Sequence, residues 1–446
     1  MKTEINKIID AQQDEMIALG KELFIHPELG YKEFETKKMV QEELAKYGIH
    51  AEAEYFETGF QVSIGEGKPH IGLIAELDAI PVEGHPCSNP KDHAAHACGH
   101  STQVTIMVNA IIALKKSGLL EKKGKVTLFF TPAEEYTDLD YRRKLIQEGK
   151  IQYIGGKMNM LEASVFDGCD CIIHLHAMGS EYAYGYGSSL AGFKYKKIIF
   201  KGKASHAGVL PHLGINALNE FTLFNAALGM LRETFEEKDM VRIHGILTKG
   251  GDTINSVPSE VIYECYIRTL NQDKLLEIDH QITSMAQHCA AALGGSVEFA
   301  DMIGYLPFTP NPVLSEVAHQ NILDYTTEDK IIANERSIAG GDVGDVSCFY
   351  PIIQFGYNGF SGAIHGVDFK IIDTYKAFVE PAKIVCGCVV DLLEKLELIQ
   401  QIKACHHSMN KEVYQAYLQG KWVEKELLSK NKKPQIKNYS IKRFDY

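Results

Sequence analysis

The stretch Ile71-Gly-Leu-Ile-Ala-Glu-Leu77 is a short, nearly continuous apolar run, the pattern of a strand buried on both faces rather than a half-exposed one. Lys125-Val-Thr-Leu-Phe-Phe-Thr131 and Cys171-Ile-Ile-His-Leu-His176 repeat it further along. Between the first two runs, Val104, Met107, Val108, Ile111 and Ile112 recur with helical spacing and predict a helix with one apolar stripe. Ser101 is the expected N-cap of that helix and Gly118 the expected stop. Strand and helix patterns alternate in this way through the first 190 residues or so, which predicts an α/β domain with a largely parallel central sheet and helices on both faces.

Outward from this core the pattern changes. A strand is expected at Tyr195 to Ala204, then a helix at Ile215 to Phe235, strands at Val241 to Lys249 and Glu260 to Leu270, a helix at Lys274 to Leu293 and a strand at Ser296 to Ala300. The order β-α-β-β-α-β is that of a ferredoxin-like α+β unit. It is complete in itself and reads as an insertion. After Pro307 the first pattern resumes, with a strand at Pro351 to Gly356 and helical residues from Thr374 to Leu398, which Pro381 should break or kink. The expected organisation is therefore a catalytic domain in two parts, 1–191 and 304–399, an inserted domain at 192–303, and an extension at 400–446. That extension holds the only tryptophan, Trp422, and an expected helix from Lys411 to Lys430.

At 446 residues the chain exceeds the size at which single cores usually stop growing. Its formal net charge of −12 argues against a nucleic-acid partner. No apolar run approaches the ~20 residues that span a bilayer. Met1 to Asp14 lacks a signal-peptide core and reads as the start of a surface helix. Ten cysteines, without the paired pattern of a secreted scaffold, point to a reducing cytosol. Cys169 with Cys171, and Cys386 with Cys388, lie in apolar runs and read as core.

Side chains able to hold metal or protons sit just after the strand runs: Asp78 after the first, Glu134 and Glu135 after the second, His176 at the end of the third. In open α/β sheets the carboxyl ends of strands are where ligands bind. His93-Ala-Ala-His96-Ala-Cys98-Gly-His100 is dense in metal-binding groups, and a helix N-terminus and a metal would both favour the Cys98 thiolate. Adjacent Glu134 and Glu135 cannot both face one ion from a regular strand, but in a turn one can ligate while the other holds a proton. His174 and His176 share a side of their strand, and only one is expected as a ligand. His365 in Ser361-Gly-Ala-Ile-His365-Gly-Val-Asp-Phe369, and His206 in Gly202-Lys-Ala-Ser-His206, stand in turn-rich segments.

Taken in order, His26-Pro-Glu-Leu-Gly30, Ala75-Glu-Leu-Asp78-Ala-Ile-Pro81, His96-Ala-Cys-Gly-His100, Pro132-Ala-Glu-Glu135, His176, Gly202-Lys-Ala-Ser-His206, Gly250-Gly-Asp-Thr-Ile-Asn255 and His365-Gly-Val-Asp-Phe369 resemble the M20 metallopeptidase family, in its amidohydrolase branch. The resemblance extends from about Leu19 to Leu398. It implies two divalent metal ions, zinc first with manganese or cobalt as alternatives. Cys98 would bridge them, and His100, Glu135, His176 and His365 would complete the ligands. It further implies Glu134 as general base, Asp78 as an acid that orients the site, His206 as oxyanion donor and Asn255 as a substrate-binding residue. The implied substrate is a small molecule, an N-acyl or N-aryl amino acid; the alternative is a dipeptide, as for an exopeptidase. Cys98 at the bridging position favours the first, since peptidase branches usually carry Asp there. A homodimer through the inserted domain is also implied. Ser101, Gln103 and Ile74-Ala-Glu-Leu-Asp78 depart from the family pattern, and Glu76 is read as a structural acid.

Overall fold

The computed structural model describes residues 1–121, 123–179 and 181–419. Its contacts divide the chain into two compact units. The first comprises Met1–Ser189, Thr309–Arg336 and Asp345–Ser408; the second comprises Leu190–Phe308, Ser337–Gly344 and the described residues from Met409 onward.

The first unit is built on an eight-stranded sheet. Four of its strands, in spatial order Gly124–Thr131, His70–Glu76, Cys171–Ala177 and Ile352–Tyr357, run parallel. Ala53–Tyr55 and Gly59–Glu66 add antiparallel at one side, and Tyr184–Tyr186 and Ile331–Ala333 lie at the other. Every residue of His70–Glu76 is buried, and so is every residue of Cys171–Ala177 except His176. The apolar runs thus form a doubly covered parallel sheet, for the physical reason that made them readable. Because the strands are parallel and in register, Glu76 pairs with Thr131 and Ala177 with Tyr357. All four chains therefore leave the sheet at the same edge.

The helix after the first strand spans His100–Lys116, and Ser101 is not its cap. Gly99 caps it instead, in the left-handed region at φ 84°. The Gly99 carbonyl accepts from the Thr102 and Gln103 amides at 3.0 and 3.2 Å. Nor does the helix bury a single stripe, since every residue from His100 to Leu114 is inaccessible. Small and neutral residues such as Ser101, Thr105 and Ala110 on the remaining faces let it be covered all round. Gly118, at φ 65°, follows the last turn as expected. Pro381 ends one helix and begins another: Thr374–Phe378 stops at Val379, and Glu380–Glu394 carries the proline in its first turn, where a missing N–H is harmless.

In the second unit an antiparallel sheet runs Arg242–Lys249, Glu260–Thr269, Gly192–Lys201, Ser296–Phe299, the ferredoxin-like strand order. Helices Ala217–Arg232 and Gln272–Ala292 pack on it, capped by the Asn216 and Asn271 side chains. Glu260–Thr269 alternates buried and half-buried residues along its whole length, as one covered sheet face demands. Lys196 is buried in this core and donates to Asp301 at 2.6 Å and Thr283 at 2.9 Å, with Asp279 also at 2.9 Å. The helix expected from Lys411 is described as Lys411–Leu418. Its continuation to Lys430, and Trp422, lie outside the described residues. Among the described residues no helix is long and apolar enough to cross a membrane.

Candidate metal centre

Asp78, the turn bearing Glu134 and Glu135, and His176 all lie at the shared carboxyl edge of the sheet. The Glu134–Glu135 turn is made by Ala133, a non-glycine residue at φ 54°. Its amide donates to the Glu33 carboxyl at 2.9 Å, and the Thr58 hydroxyl donates to the other Glu33 oxygen at 2.5 Å. Burial, with the nearby Asp78 charge, pushes the Glu33 carboxyl up to about 8. Asp78 spans two neighbours. One of its oxygens accepts from the Glu135 amide at 3.0 Å, and the other lies 3.4 Å from His100 Nδ1.

Cys98 and His100 flank Gly99. A Cβ at Gly99 would lie 2.5 Å from the Ala177 Cβ, so only glycine lets this loop sit against the end of the third strand. The His365 loop is tied to the same place, since the His365 amide donates to the Ala97 carbonyl at 2.9 Å. As a result Cys98 Sγ lies 3.5 Å from His176 Nε2 and 3.3 Å from His365 Nε2, and His365 Nε2 lies 3.3 Å from Glu135 Oε1. Cys98, His100 and His176 form one group whose donor atoms all fall within 4.8 Å of one another; Cys98, Glu135 and His365 form a second, and His100, Glu134 and Glu135 a third. Cys98 belongs to two of them.

These groups suit a divalent cation. Bonds of ~2.3 Å to sulfur and ~2.0–2.1 Å to nitrogen at a tetrahedral angle separate two donors by about 3.6 Å, close to the spacings seen at Cys98. The His176 Nδ1 faces the Ala177 carbonyl at 2.8 Å and the His100 Nδ1 faces the Asp78 carbonyl at 2.9 Å. A carbonyl only accepts, so Nδ1 carries a proton in both rings and Nε2 is the nitrogen left to face a cation. Burial works against charge on His100, but the Cys98 and Glu76 charges beside it hold it well above the usual imidazole range. Burial pulls His176 down to about 4, keeping it a neutral ligand at neutral pH. Glu135 is drawn down to about 2: burial opposes this, but His365, with Nε2 3.3 Å from Oε1, and the His100 charge outweigh it. Glu135 Oε1 is buried without a hydrogen bond among the described residues. Burial, reinforced by Glu135, raises the Cys98 thiol well above the usual range. The helix N-terminus alone does not ionise it; a bound cation could.

His174 turns out to be a core residue, with Nδ1 3.1 Å from Gln354 Oε1 and Nε2 3.3 Å from Glu76. His206 and Asn255 belong to the second unit, where Asn255 Nδ2 lies 3.4 Å from His206 Nε2. The Gly208 and Val209 amides donate to His206 Nδ1 at 3.2 and 3.1 Å, leaving the proton on Nε2. Two side chains around Glu76 carried no signal in the sequence. Lys157 donates to it from 81 residues away, and Gln103, noted only as a departure, donates from 27.

Residues 72–389 match Peptidase family M20/M25/M40. The N-acetyl-L-cysteine deacetylase of Bacillus subtilis is 28% identical over 308 residues, covering 66% of this chain and 68% of that protein. The human Xaa-Arg dipeptidase is 25% identical over 438 residues, covering 90% and 91%. Among solved structures, the Bacillus subtilis YXEP protein, described as a dinuclear metal binding peptidase of the M20 family, superposes with a TM-score of 0.70 at 20% identity, over 86% of this chain and 99% of that one.

Proposed function

The chain belongs to peptidase family M20/M25/M40 and is a metal-dependent hydrolase, and from that premise we propose that it cleaves the amide bond of an N-acyl or N-aryl amino acid. The observation that carries this reading is the pair of donor groups sharing Cys98, one with His100 and His176 and the other with Glu135 and His365. Cys98, His100, His176, Glu135 and His365 would hold two cations, and the sulfur and imidazole donors favour zinc over manganese or cobalt.

Two such ions supply water activated at neutral pH and positive charge for the developing oxygen. The protein's own groups do the rest. Glu134, buried beside His100 and Glu135, takes the water's proton and returns it to the leaving nitrogen. Asp78 keeps His100 and Glu135 in place through its two oxygens. His206, with its proton on Nε2, donates to the tetrahedral oxyanion, and Asn255 binds the substrate. Association of two copies through the second unit belongs to the same reading. Met230 and Ile246 stand exposed on that unit, and sedimentation of a Met230→Lys, Ile246→Lys variant tests it.

Replacing Glu134 by alanine should lower turnover by ~10²–10⁴-fold or more while metal content stays at the wild-type level. Retained turnover removes Glu134 from the mechanism. A screen of N-acetyl, N-benzoyl and p-aminobenzoyl amino acids beside dipeptides decides the substrate class; product from dipeptides alone would replace this reading with that of an exopeptidase.

A further inference from the structure

Glu76, the last residue of the His70–Glu76 strand, is buried, with four nitrogens within 3.3 Å of its carboxylate. Lys157 Nζ lies 2.6 Å from Oε1, and Gln103 Nε2 lies 2.7 Å from Oε2. His174 Nε2 stands 3.3 Å from Oε1, and His100 Nε2 stands 3.2 Å from Oε2. Gln103 also accepts from the Glu76 backbone amide at 3.2 Å, so it grips the residue by main chain and side chain together. Lys157, Gln103, His174 and His100 are all fully buried. Lys157 sits at the start of the helix Gly156–Glu162, and a Cβ on Gly156 would lie 1.7 Å from the Pro132 carbonyl oxygen. That helix is therefore pressed against the turn leading to Glu134, which fixes where Lys157 starts from.

The 3.2 Å between the Glu76 carboxylate and His100 Nε2 is the spacing of two donors on one ion, about 3.0–3.4 Å for bonds of 2.0–2.2 Å. Nε2 is also the ring nitrogen left to face a cation in the Cys98, His100, His176 group, since Nδ1 is bonded to the Asp78 carbonyl. Glu76 thus stands at ligand distance from a ligand, with each of its oxygens already held by a buried donor. We infer that Lys157 and Gln103 are positioning residues that hold Glu76 out of the coordination sphere, and so fix the metal preference of the Cys98, His100 and His176 position. An added carboxylate would shift that position from its nitrogen and sulfur set toward oxygen-preferring ions such as manganese. The inference rests on the two-cation reading above.

The test is equilibrium binding of Zn²⁺ and of Mn²⁺, each alone, to the full-length protein in competition with a chromophoric chelator. Wild-type protein should bind two ions. Lys157→Met should raise the manganese-to-zinc affinity ratio at one position by about tenfold or more and leave the other position unchanged. Adding Glu76→Gln to Lys157→Met should return the ratio to the wild-type value, because no carboxylate then remains to enter. An unchanged ratio in Lys157→Met, or a double variant shifted as far as the single one, would overturn the inference. Should Lys157→Met fail to fold, Gln103→Leu frees Oε2 with the ion pair intact and should shift the ratio in the same direction; no shift overturns the inference equally. Wild-type protein binding fewer than two ions would instead count against the two-cation reading, which keeps the two failures apart.

Discussion

Replacing Gly99 by alanine should destabilise the first unit more than a positive φ alone explains. Gly99 sits at φ 84°, where an L-residue pays roughly 1–2 kcal/mol. Its new Cβ would also lie 2.5 Å from the Ala177 Cβ in a fully packed region, and overpacking of that kind costs about 1–3 kcal/mol. The sum is about 2–5 kcal/mol, on the order of 5–10 °C in melting temperature for a unit of this size. Gly67 provides the control: it has the same φ of 84° and nothing within 4 Å of its Cβ. Gly67→Ala should therefore show only the backbone component, and both variants gain equally from a less flexible unfolded chain. The difference between them isolates the contact with Ala177. Adding Ala177→Gly to Gly99→Ala should recover most of that difference, giving an interaction energy of about 1–3 kcal/mol in a double-mutant cycle. Thermal melts followed by circular dichroism measure wild type, Gly67→Ala, Gly99→Ala, Ala177→Gly and the double variant. If Gly99→Ala melts with Gly67→Ala, or if the cycle is additive, the close approach of the two loops is not what requires glycine.

Two further outcomes are expected. Lys196→Met leaves the buried Asp301 and Asp279 short of a cation and should destabilise the second unit by about 3–5 kcal/mol, read as faster hydrogen exchange in Glu260–Thr269; unchanged exchange refutes it. Glu33, with its carboxyl up at about 8 against an ordinary 4.5, stays protonated when folded over a range where the unfolded chain has lost the proton. Its stabilising effect is complete below pH 4.5 and is lost as pH rises toward 8. Glu33→Gln should flatten the fall in melting temperature across that window, and parallel profiles for the two proteins would sink the assignment.

Much of the fold was legible because it is written in local periodicity. Unbroken apolar runs such as Ile71–Leu77 mark strands covered on both faces, and the structure has them at His70–Glu76, Gly124–Thr131 and Cys171–Ala177. The change after Phe193 to a β-α-β-β-α-β order announces a ferredoxin-like unit, and the structure has its strands as one antiparallel sheet. Pro381 broke the helix where it stood because a proline has no N–H to give. The error at Ser101 has an equally local cause. Serine is a good cap by propensity, but a backbone pressed against Ala177 admits only glycine, and that pressure comes from a strand far along the chain.

The candidate site divides in the same way. That acids and imidazoles would gather at one edge followed from parallel strands leaving a sheet together, and the strand-end positions of Asp78, Glu134, Glu135 and His176 carry that much alone. The 3.3 Å from Cys98 to His365 joins residues 267 positions apart, and no periodicity encodes it. The same holds for the assignment of His174 to Glu76 and Gln354 rather than to the cation group, and for Lys157, a buried ammonium recognisable only by the carboxylate it meets. Burial pattern is a property of neighbours along the chain and can be read from them. Donor spacing, and the charge that burial leaves on a group such as the Cys98 thiol, are properties of neighbours in space, and exist only once the chain has folded.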